Sequence, residues 1–210
     1  MDFQRARSEQ AKAKRWDEIV NSTLSLFETR PYTNITIKDI AQKTSFTRAN
    51  IYKYISTKEE IFLEIIIRDS KKWINDLQNT ISNNMEIDDF LELWCKTTYK
   101  HKRLIQLFTL LPLVIEKNVS QEKLAVFKSK FFRNLDPMYY IIKQSFPNLK
   151  QNDIISFVQA QYYFSVGILP VAEPDEIQRK ALELSGADYV IPDFYTELYN
   201  HLKIYLKGLL

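Results

Sequence analysis

Apolar residues recur at three- and four-residue spacing along most of the chain, which is the period of one face of an α-helix. Between residues 57 and 83, one such face carries Phe62, Ile66, Trp73, Leu77 and Ile81. The chain has only 3 Gly, and alternating runs of β-branched residues are few. The pattern therefore predicts an all-α fold.

Capping signals divide this pattern into separate helices. We predict a first helix from near Ser8 to Thr29 and a long helix from Thr57 to about Asn83. Later helices are predicted to begin near Asp88, Leu104, Ser120, Asp153, Asp175 and Pro192.

Prolines and glycines within the later segments predict where those helices bend or end. Pro112 should kink or end the buried helix over residues 104–111. Pro137 should bend the helix from Ser120 locally, and the helix from Asp153 should stop near Gly167 and Pro170.

Three helix-start signals lie close together between residues 36 and 60. Thr36 and Asp39 form a T-x-x-D capping box, in which each side chain satisfies a free backbone N–H of the other. Thr47 offers a second N-cap oxygen, and Ser56 with Glu59 forms a third signal, S-x-x-E. The segment therefore reads as two short helices, a tight turn and the start of a long helix.

The second short helix is too polar for a helix whose only task is to fill a core. Of residues 48–55 only Ala49, Ile51 and Ile55 are aliphatic, and the others are Arg, Asn, Lys and Tyr. A helix of this size fits the DNA major groove, where its first-turn residues meet base edges and its Tyr and Lys side chains meet phosphates. Lys58 lies at a helix N-terminus, which also favours a phosphate.

The pattern T-I-x-D-I-A, then T-R-A-N-I-Y-x-Y and S-T-K-E, closely resembles the helix-turn-helix of the TetR (tetracycline-repressor-like) family of bacterial transcriptional regulators. The resemblance covers about residues 16 to 64. It implies a three-helix N-terminal DNA-binding domain at residues 1–56 and a larger helical-bundle domain for ligand binding and dimerisation at residues 57–210. Carried onto this chain, it implies DNA contacts by Thr36, Thr47, Arg48, Ala49, Asn50, Tyr52, Lys53, Tyr54 and Lys58.

Two positions depart from the family pattern. Ser45 stands where the family usually has the turn glycine, and Ala49 stands where it often has glycine. We expect serine in a left-handed turn to cost about 1 kcal/mol. Alanine still lets the backbone approach DNA closely.

Charge is concentrated in the same part of the chain as the motif. Residues 1–58 hold 11 Lys+Arg and 6 Asp+Glu, net +5, and the remainder is net −2. A basic region that coincides with the motif favours nucleic acid as a partner. Arg5 and Arg7 are further candidates for minor-groove or phosphate contacts, and a solvated tail is an alternative of at least equal weight.

Composition points away from secretion and membrane insertion. The N-terminus is charged and lacks an apolar core, so it does not predict a signal peptide. No uninterrupted apolar run reaches the ~18 residues that a membrane span needs, and Cys95 has no partner for an internal disulfide. We therefore expect a cytoplasmic protein without a membrane contact.

Enzymatic chemistry finds little support in the sequence. His101 and His201 are the only histidines and have no metal-ligand spacing, so we predict no metal site and no cofactor. Cys95 lies on an amphipathic helix between Trp94 and Lys96, where a buried small residue is the simpler interpretation than a nucleophile. We predict no catalytic residues.

The C-terminal segment is rich in aromatic residues that are predicted to face inward. Ordinary core packing is the alternative for each of them, but members of the resembled family usually hold an inducer among helices five to eight. The resemblance thus implies a small-molecule effector, with ligand contacts from Trp94, Tyr99, Phe108, Phe127, Phe131 and Tyr162. The aromatic composition favours an apolar or aromatic molecule, with a cationic one as the alternative. We expect residues 102–111 to transmit binding to the long helix.

The last helix has two predicted apolar faces, and one of them needs a partner. By resemblance, residues 152–169 and 192–209 form a four-helix interface in a homodimer, with dimer contacts from Tyr163, Gly167, Tyr195, Tyr199 and Leu206. A dimer would place two reading helices on a palindromic operator. Repression is expected on the resemblance alone.

Two other classes remain open. The chain could be a TetR-like protein-interaction module, or a ligand-binding protein whose basic end is incidental. Replacing Tyr52 and Lys58 separates these classes, because only a DNA regulator loses operator binding.

Overall fold

The computed structural model describes residues 2–210, with side chains described from Glu9 onward. The contacts expected of Arg5 and Arg7 lie outside the described side chains. Residues 2–210 form helices joined by short turns and contain no strand. The all-α prediction is confirmed.

The chain separates into two compact units, one of residues 1–68 with 111–129 and one of residues 69–110 with 130–210. The first unit contains the whole of α1 (Asp2–Phe27), α2 (Ile37–Gln42) and α3 (Arg48–Ile51). It also holds the beginnings of α4 (Lys58–Thr80) and α7 (Gln121–Asn134), and a π-helical turn at Leu111–Ile115.

A small apolar core holds the first unit together. Ile19, Val20 and Leu26 of α1 are almost wholly buried, as are Ile40 of α2 and Ile51 of α3. Phe62 of α4 completes this core, with its ring edge-on to Phe27 and to Tyr32 at centroid distances of 5.6 and 4.9 Å. This core fixes α2 and α3 against α1 and the start of α4.

The second unit is a larger helical bundle. Its remaining helices are α5 (Ile87–Lys100), α6 (Lys102–Leu110), α8 (Asp136–Ser145), α9 (Gln151–Ala172), α10 (Glu176–Ser185) and α11 (Phe194–Leu209). Helix α9 packs against α6, α8 and α11, and α11 packs against α5. The ring of Phe90 contacts those of Trp94, Phe146 and Phe157, which forms the aromatic centre of the bundle.

Two of the three predictions about where a proline bends or ends a helix are wrong. Helix α6 ends at Leu110, before the π-helical turn that contains Pro112, as predicted. The predicted bend at Pro137 is wrong, because the chain breaks into α7 and α8 and Pro137 lies in the first turn of α8. Proline suits that position, where its missing N–H would have no helical partner.

The predicted end of α9 near Gly167 and Pro170 is also wrong, because the helix continues to Ala172. Pro170 lies in the last turn, where it removes a single backbone bond, and the N–H of Glu173 still bonds to the carbonyl of Leu169 at 2.9 Å. Leu169 is buried, so packing offsets the lost bond.

Helix α9 is long and apolar enough to cross a bilayer by length and composition, with mean hydropathy 1.3. The core helix of a water-exposed bundle passes the same test. Ile154, Phe157 and Leu169 of α9 are buried within the second unit, where α9 packs against three other helices.

Candidate nucleic-acid interface

Side-chain caps fix the start of both short helices as the sequence predicts. The backbone N–H of Thr36 donates to the carboxylate of Asp39 at 2.9 Å, and the N–H of Asp39 donates back to the Thr36 hydroxyl at 3.2 Å. The Thr36 hydroxyl also donates to the Asp39 carboxylate at 2.5 Å, and this bond, together with the one from the Thr36 N–H, holds the pKa of Asp39 below its usual range. The Thr47 hydroxyl accepts from the N–H of Asn50 at 3.4 Å and caps α3.

The reading segment is less helical than predicted. Only Arg48–Ile51 form α-helix, whereas the prediction extended the helix to Tyr54. The chain continues as a tightening turn, in which the N–H of Tyr54 bonds to the carbonyl of Ile51 at 2.8 Å. Ile51 and Ile55 are buried and anchor this segment to the protein core.

The outer face of this segment carries polar side chains. Thr47, Arg48, Ala49, Tyr52 and Lys53 are exposed, and Asn50 and Tyr54 are half-buried. The Arg48 guanidinium donates to the Tyr52 hydroxyl at 3.1 Å and lies 5.5 Å from the centre of its ring. Two side chains of the face are thereby oriented together.

A groove beside this face adds a further cation. It has a volume of about 380 Å³ and is lined by Arg15 of α1 and by Ser45, Phe46, Asn50, Lys53 and Tyr54. Arg15 and Lys53 form no ion pair within the described side chains, so their charges are available to an anion such as a DNA phosphate.

The turn between α2 and α3 does not use a left-handed residue at position 45. Asn84 is the sole non-glycine residue with positive φ in the described chain, so the predicted strain at Ser45 is wrong. Glu18 of α1 instead holds the turn, because its carboxylate accepts from the Ser45 N–H at 2.5 Å and from the Ser45 hydroxyl at 3.2 Å. The turn is therefore stabilised by a long-range contact that the local pattern does not reveal.

Lys58 is engaged inside the protein. Its ammonium donates to the carbonyls of Tyr32 and Ile35 at 3.0 and 2.8 Å and lies 4.1 Å from the centre of the Tyr32 ring. Burial lowers the pKa of Lys58. Two of its three N–H donors hold the segment before α2, which leaves one donor for a phosphate. The phosphate contact of Lys58 stays a prediction.

The predicted Ser56–Glu59 capping box is wrong. Glu60 is the residue that accepts from the N–H of Ser56, at 2.9 Å. Glu59 is 7% exposed and accepts from the Tyr32 hydroxyl at 2.5 Å. Burial and this bond to Glu59 raise the pKa of Tyr32. Local spacing could not reveal that Tyr32, 27 residues away, takes the carboxylate of Glu59.

Three of the six predicted ligand residues lie together. Phe108, Phe131 and Tyr162 meet in an aromatic group in the second unit, with ring centroids 5.7 and 5.3 Å apart. Trp94 is fully buried in the bundle centre, and Phe127 is buried in the first unit. Tyr99 is 41% exposed and stacks on Phe194, so the structure separates it from that group.

Several buried polar atoms in the second unit lack a hydrogen-bond partner. Among the described residues they are the indole nitrogens of Trp73 and Trp94, whose rings contact edge-on, the hydroxyl of Thr98, one turn after Trp94, and the side-chain amide nitrogen of Asn134. Buried donors of this kind call for an acceptor from a ligand or an ordered water. Cys95 is also buried, which raises the pKa of its thiol to about 12 and leaves it protonated at neutral pH.

The predicted dimer residues divide into two sets. Tyr163 is 65% exposed and Gly167 is exposed on α9, which leaves them available to a partner. Leu206 is fully buried in its own unit, so its prediction as a contact residue is wrong. Its face of α11 packs inside the bundle, whereas the nearby Ile204 is 77% exposed.

Tyr195 and Tyr199 contact residues of their own helical bundle. The two rings stack on one another, and Lys203, which pairs with Asp88 of α5 at 2.8 Å, lies over Tyr199. Burial, with Cys95 and Glu92 of α5 nearby, raises the pKa of Tyr195. Their dimer contact stays a prediction, and the neighbours just described lie within the same unit.

Comparison with known proteins agrees with this arrangement. Residues 19–65 match the family model described as bacterial regulatory proteins, tetR family, and residues 67–210 match the tetracyclin repressor-like C-terminal domain. A curated relative is the biofilm operon negative transcriptional regulator IcaR of Staphylococcus epidermidis, 24% identical over 70% of this chain and 82% of that protein.

Solved structures share the fold. The fatty acid degradation regulator FadR of Bacillus halodurans superposes with a TM-score of 0.60 at 10% identity, covering 93% of this chain and 96% of that chain. The FadR repressor of Thermus thermophilus, solved with lauroyl-CoA, gives 0.55 at 17% identity, covering 93% and 95%. With both family models matched along the chain, the protein belongs to the TetR family of helix-turn-helix DNA-binding transcriptional regulators.

Proposed function

We propose that the protein is a homodimeric repressor that binds a palindromic operator and is released by a small, largely apolar ligand. The observation that carries the proposal is the exposed polar face of residues 47–53, which is held by caps and buried anchors. A face with this composition and this rigid support suits the reading of DNA.

The side chains of this face divide into base-reading and phosphate-binding sets. Arg48 and Asn50 lie in the first turn of α3, where side chains reach base edges in the major groove. Lys53 and Arg15 line the basic groove and suit phosphates, which set register without reading sequence. Tyr52, oriented by Arg48, suits the backbone between these sets.

A dimer is supported by the outward face of α9 and α11. Tyr163, Gly167 and Ile204 are exposed on these two helices, which pack together through stacking of Phe164 on His201 at 3.9 Å. A methyl group added at Gly167 would meet nothing within 4 Å in the protomer, so a partner helix has room to approach. Two protomers would place their reading segments about 34–36 Å apart on one side of the duplex.

The ligand proposal rests on the aromatic group of Phe108, Phe131 and Tyr162. Neighbouring Gln161 and Ser165 of α9 are buried and bond to each other at 3.2 Å. Apolar walls with a few convergent polar atoms are the usual lining of a small-molecule site. We propose a ligand with an apolar or aromatic body and at least one hydrogen-bonding group.

Release follows from linkage. A ligand that binds better to a form with wrongly spaced reading segments lowers DNA affinity by the factor by which DNA lowers ligand affinity. Helix α6 carries Phe108 and also Arg103, which bonds to Asp69 of α4. Because α4 is one continuous helix from Lys58, a shift of α6 is passed to it directly. Repression agrees with the negative regulator IcaR among the relatives.

The cytoplasm is the proposed location, because that is where a regulator meets bacterial DNA. No observation on the structure favours a second function over this one. A TetR-like interaction module without DNA reading remains the outcome to which failure of the test would point.

The test uses duplexes that the purified protein selects from a random pool. Asn50→Ala should weaken binding to the selected duplex and leave non-specific binding unchanged, whereas Lys53→Ala should weaken both. Sedimentation should give a dimer for both variants and the wild type. Equal binding of every duplex by the wild type and Asn50→Ala would overturn the proposal.

A further inference from the structure

The first turn of α4 holds both ends of the DNA-reading element. Lys58 bonds to the carbonyls of Tyr32 and Ile35, which precede α2. Glu60 accepts from the N–H of Ser56 at 2.9 Å, directly after the segment that ends at Ile55. Two residues of this turn therefore set where the helix-turn-helix begins and where it ends.

A residue from far along the chain reaches this turn. The ammonium of Lys123, in the first turn of α7, lies 3.0 Å from the second carboxylate oxygen of Glu60. The Glu60 side chain is 8% exposed, and that of Lys123 is 56% exposed. A nearly buried carboxylate that pairs with a cation is oriented by that cation, because water screens the pair little on the carboxylate side.

Helix α7 also carries Phe131 of the aromatic group. Phe131 lies eight residues after Lys123 on the same helix, a rise of ~12 Å. Its ring contacts Phe108 edge-on with a centroid distance of 5.7 Å. One uninterrupted helix therefore joins a proposed ligand contact to the residue that holds Glu60.

We propose that Lys123 is a positioning residue for DNA reading and that α7 is a second path, beside α6, from the ligand group to the recognition segment. The Lys123 ammonium holds the Glu60 carboxylate, and Glu60 holds the Ser56 N–H at the end of that segment. A displacement of α7 at Phe131 moves Lys123 and loosens this end. The inference rests on the proposed function and assigns a route for its regulation.

The first test compares Lys123→Ala and Glu60→Gln with the wild type on the selected duplex. Each variant should weaken binding about two- to fivefold, the range that corresponds to one partly exposed ion pair. The double variant should bind no more weakly than either single variant, and Lys123→Arg should restore wild-type affinity. The matched control is Lys130→Ala, which removes an exposed lysine of the same helix.

The sign of the Glu60→Gln effect separates positioning from simple charge attraction. If Lys123 only attracted phosphates, Lys123→Ala and Lys130→Ala would weaken specific and non-specific binding alike, and loss of the Glu60 charge would tighten binding. Positioning predicts weaker specific binding for Glu60→Gln and unchanged non-specific binding. Tighter binding by Glu60→Gln, or additive losses in the double variant, would overturn the proposal.

Amide hydrogen exchange at Ser56 tests the route without DNA. Lys123→Ala should speed this exchange about two- to fivefold, again as expected for one ion pair. Phe131→Ala should speed it in the wild-type background and have no further effect in Lys123→Ala. Unchanged exchange in Lys123→Ala would overturn the inference even if the wild type selects a palindrome. If the wild type selects no duplex, the proposed function fails, and Ser56 exchange still judges the ion pair.

Discussion

Arg103 of α6 donates two hydrogen bonds, of 2.8 and 2.9 Å, to the two carboxylate oxygens of Asp69 in α4. Asp69 is 3% exposed, so this carboxylate depends on Arg103 for its compensating charge. Geometry of this kind is the strongest form of side-chain ion pair. The pair joins the helix that carries Phe108 to the helix that begins at Lys58.

Removing Arg103 and removing Asp69 should lower the stability by unequal amounts. Arg103→Ala leaves a buried carboxylate unpaired and should lower the free energy of unfolding by about 2–3 kcal/mol. Asp69→Asn should cost less, because Arg103 reaches solvent. Urea denaturation measures both values, and Lys100→Ala, which breaks an exposed pair with Asp76, is the control. Equal costs for Arg103→Ala and Lys100→Ala would contradict the assigned burial.

Variants of Lys58 and Lys53 should separate an effect on stability from an effect on DNA binding. Lys58→Ala removes two bonds to backbone carbonyls and should lower the free energy of unfolding by about 1–2 kcal/mol, besides weakening DNA binding. Lys53→Ala should weaken DNA binding with no change in stability, because its ammonium is exposed. Thermal denaturation and DNA titration check the two variants together. Unchanged stability in Lys58→Ala would return Lys58 to the role of a simple phosphate contact.

Ser45→Gly should not stabilise the turn. A left-handed serine would gain from glycine, but Ser45 lies outside that region and its hydroxyl bonds to Glu18. The substitution should therefore lower the free energy of unfolding by about 0.5–1 kcal/mol through the freer unfolded chain. Glu18→Gln, which keeps the shape of the side chain, is the companion variant. A more stable Ser45→Gly protein would show that the turn is strained after all.

Acid should lower the free energy of unfolding through His201. This ring stacks on Phe164, and burial holds its pKa below the ordinary value of 6.5. The neutral ring is therefore favoured in the folded bundle, and its contribution to stability is present above pH 6.5 and is lost as the pH falls below it. Urea denaturation at pH 7.5 and pH 5.5 should give a lower free energy of unfolding in acid, and the difference should be smaller in His201→Gln. The same pH response in both proteins would exclude His201 as its source.

The sequence correctly predicted those features of the fold that are set by residues close together in the chain. The caps at Thr36, Thr47 and Asp175 follow from residues within one turn of each other. Contacts made across the sequence were not accessible in this way: the Glu18 cap on Ser45 and the bond between Tyr32 and Glu59 join residues that are 27 positions apart.

The assignment of helix faces shows the same limit of prediction from local spacing. Spacing predicted two apolar faces on α11, but it could not tell which face packs inside the bundle, and Leu206 was assigned to the wrong one. The aromatic residues of the second unit were predicted as one ligand group, whereas Trp94 belongs to the core and Tyr99 to the surface. Burial is decided by neighbouring helices, which periodicity in one helix does not contain.

Selection of bound duplexes from a random DNA pool, at about 50 mM and about 200 mM salt, tests the central claim most directly. The account predicts enrichment of one palindrome whose half-sites lie about one helical turn apart, with affinity that falls steeply as salt rises. Enrichment of no sequence, with only weak salt-sensitive binding, would contradict sequence-specific regulation and would favour the interaction-module alternative.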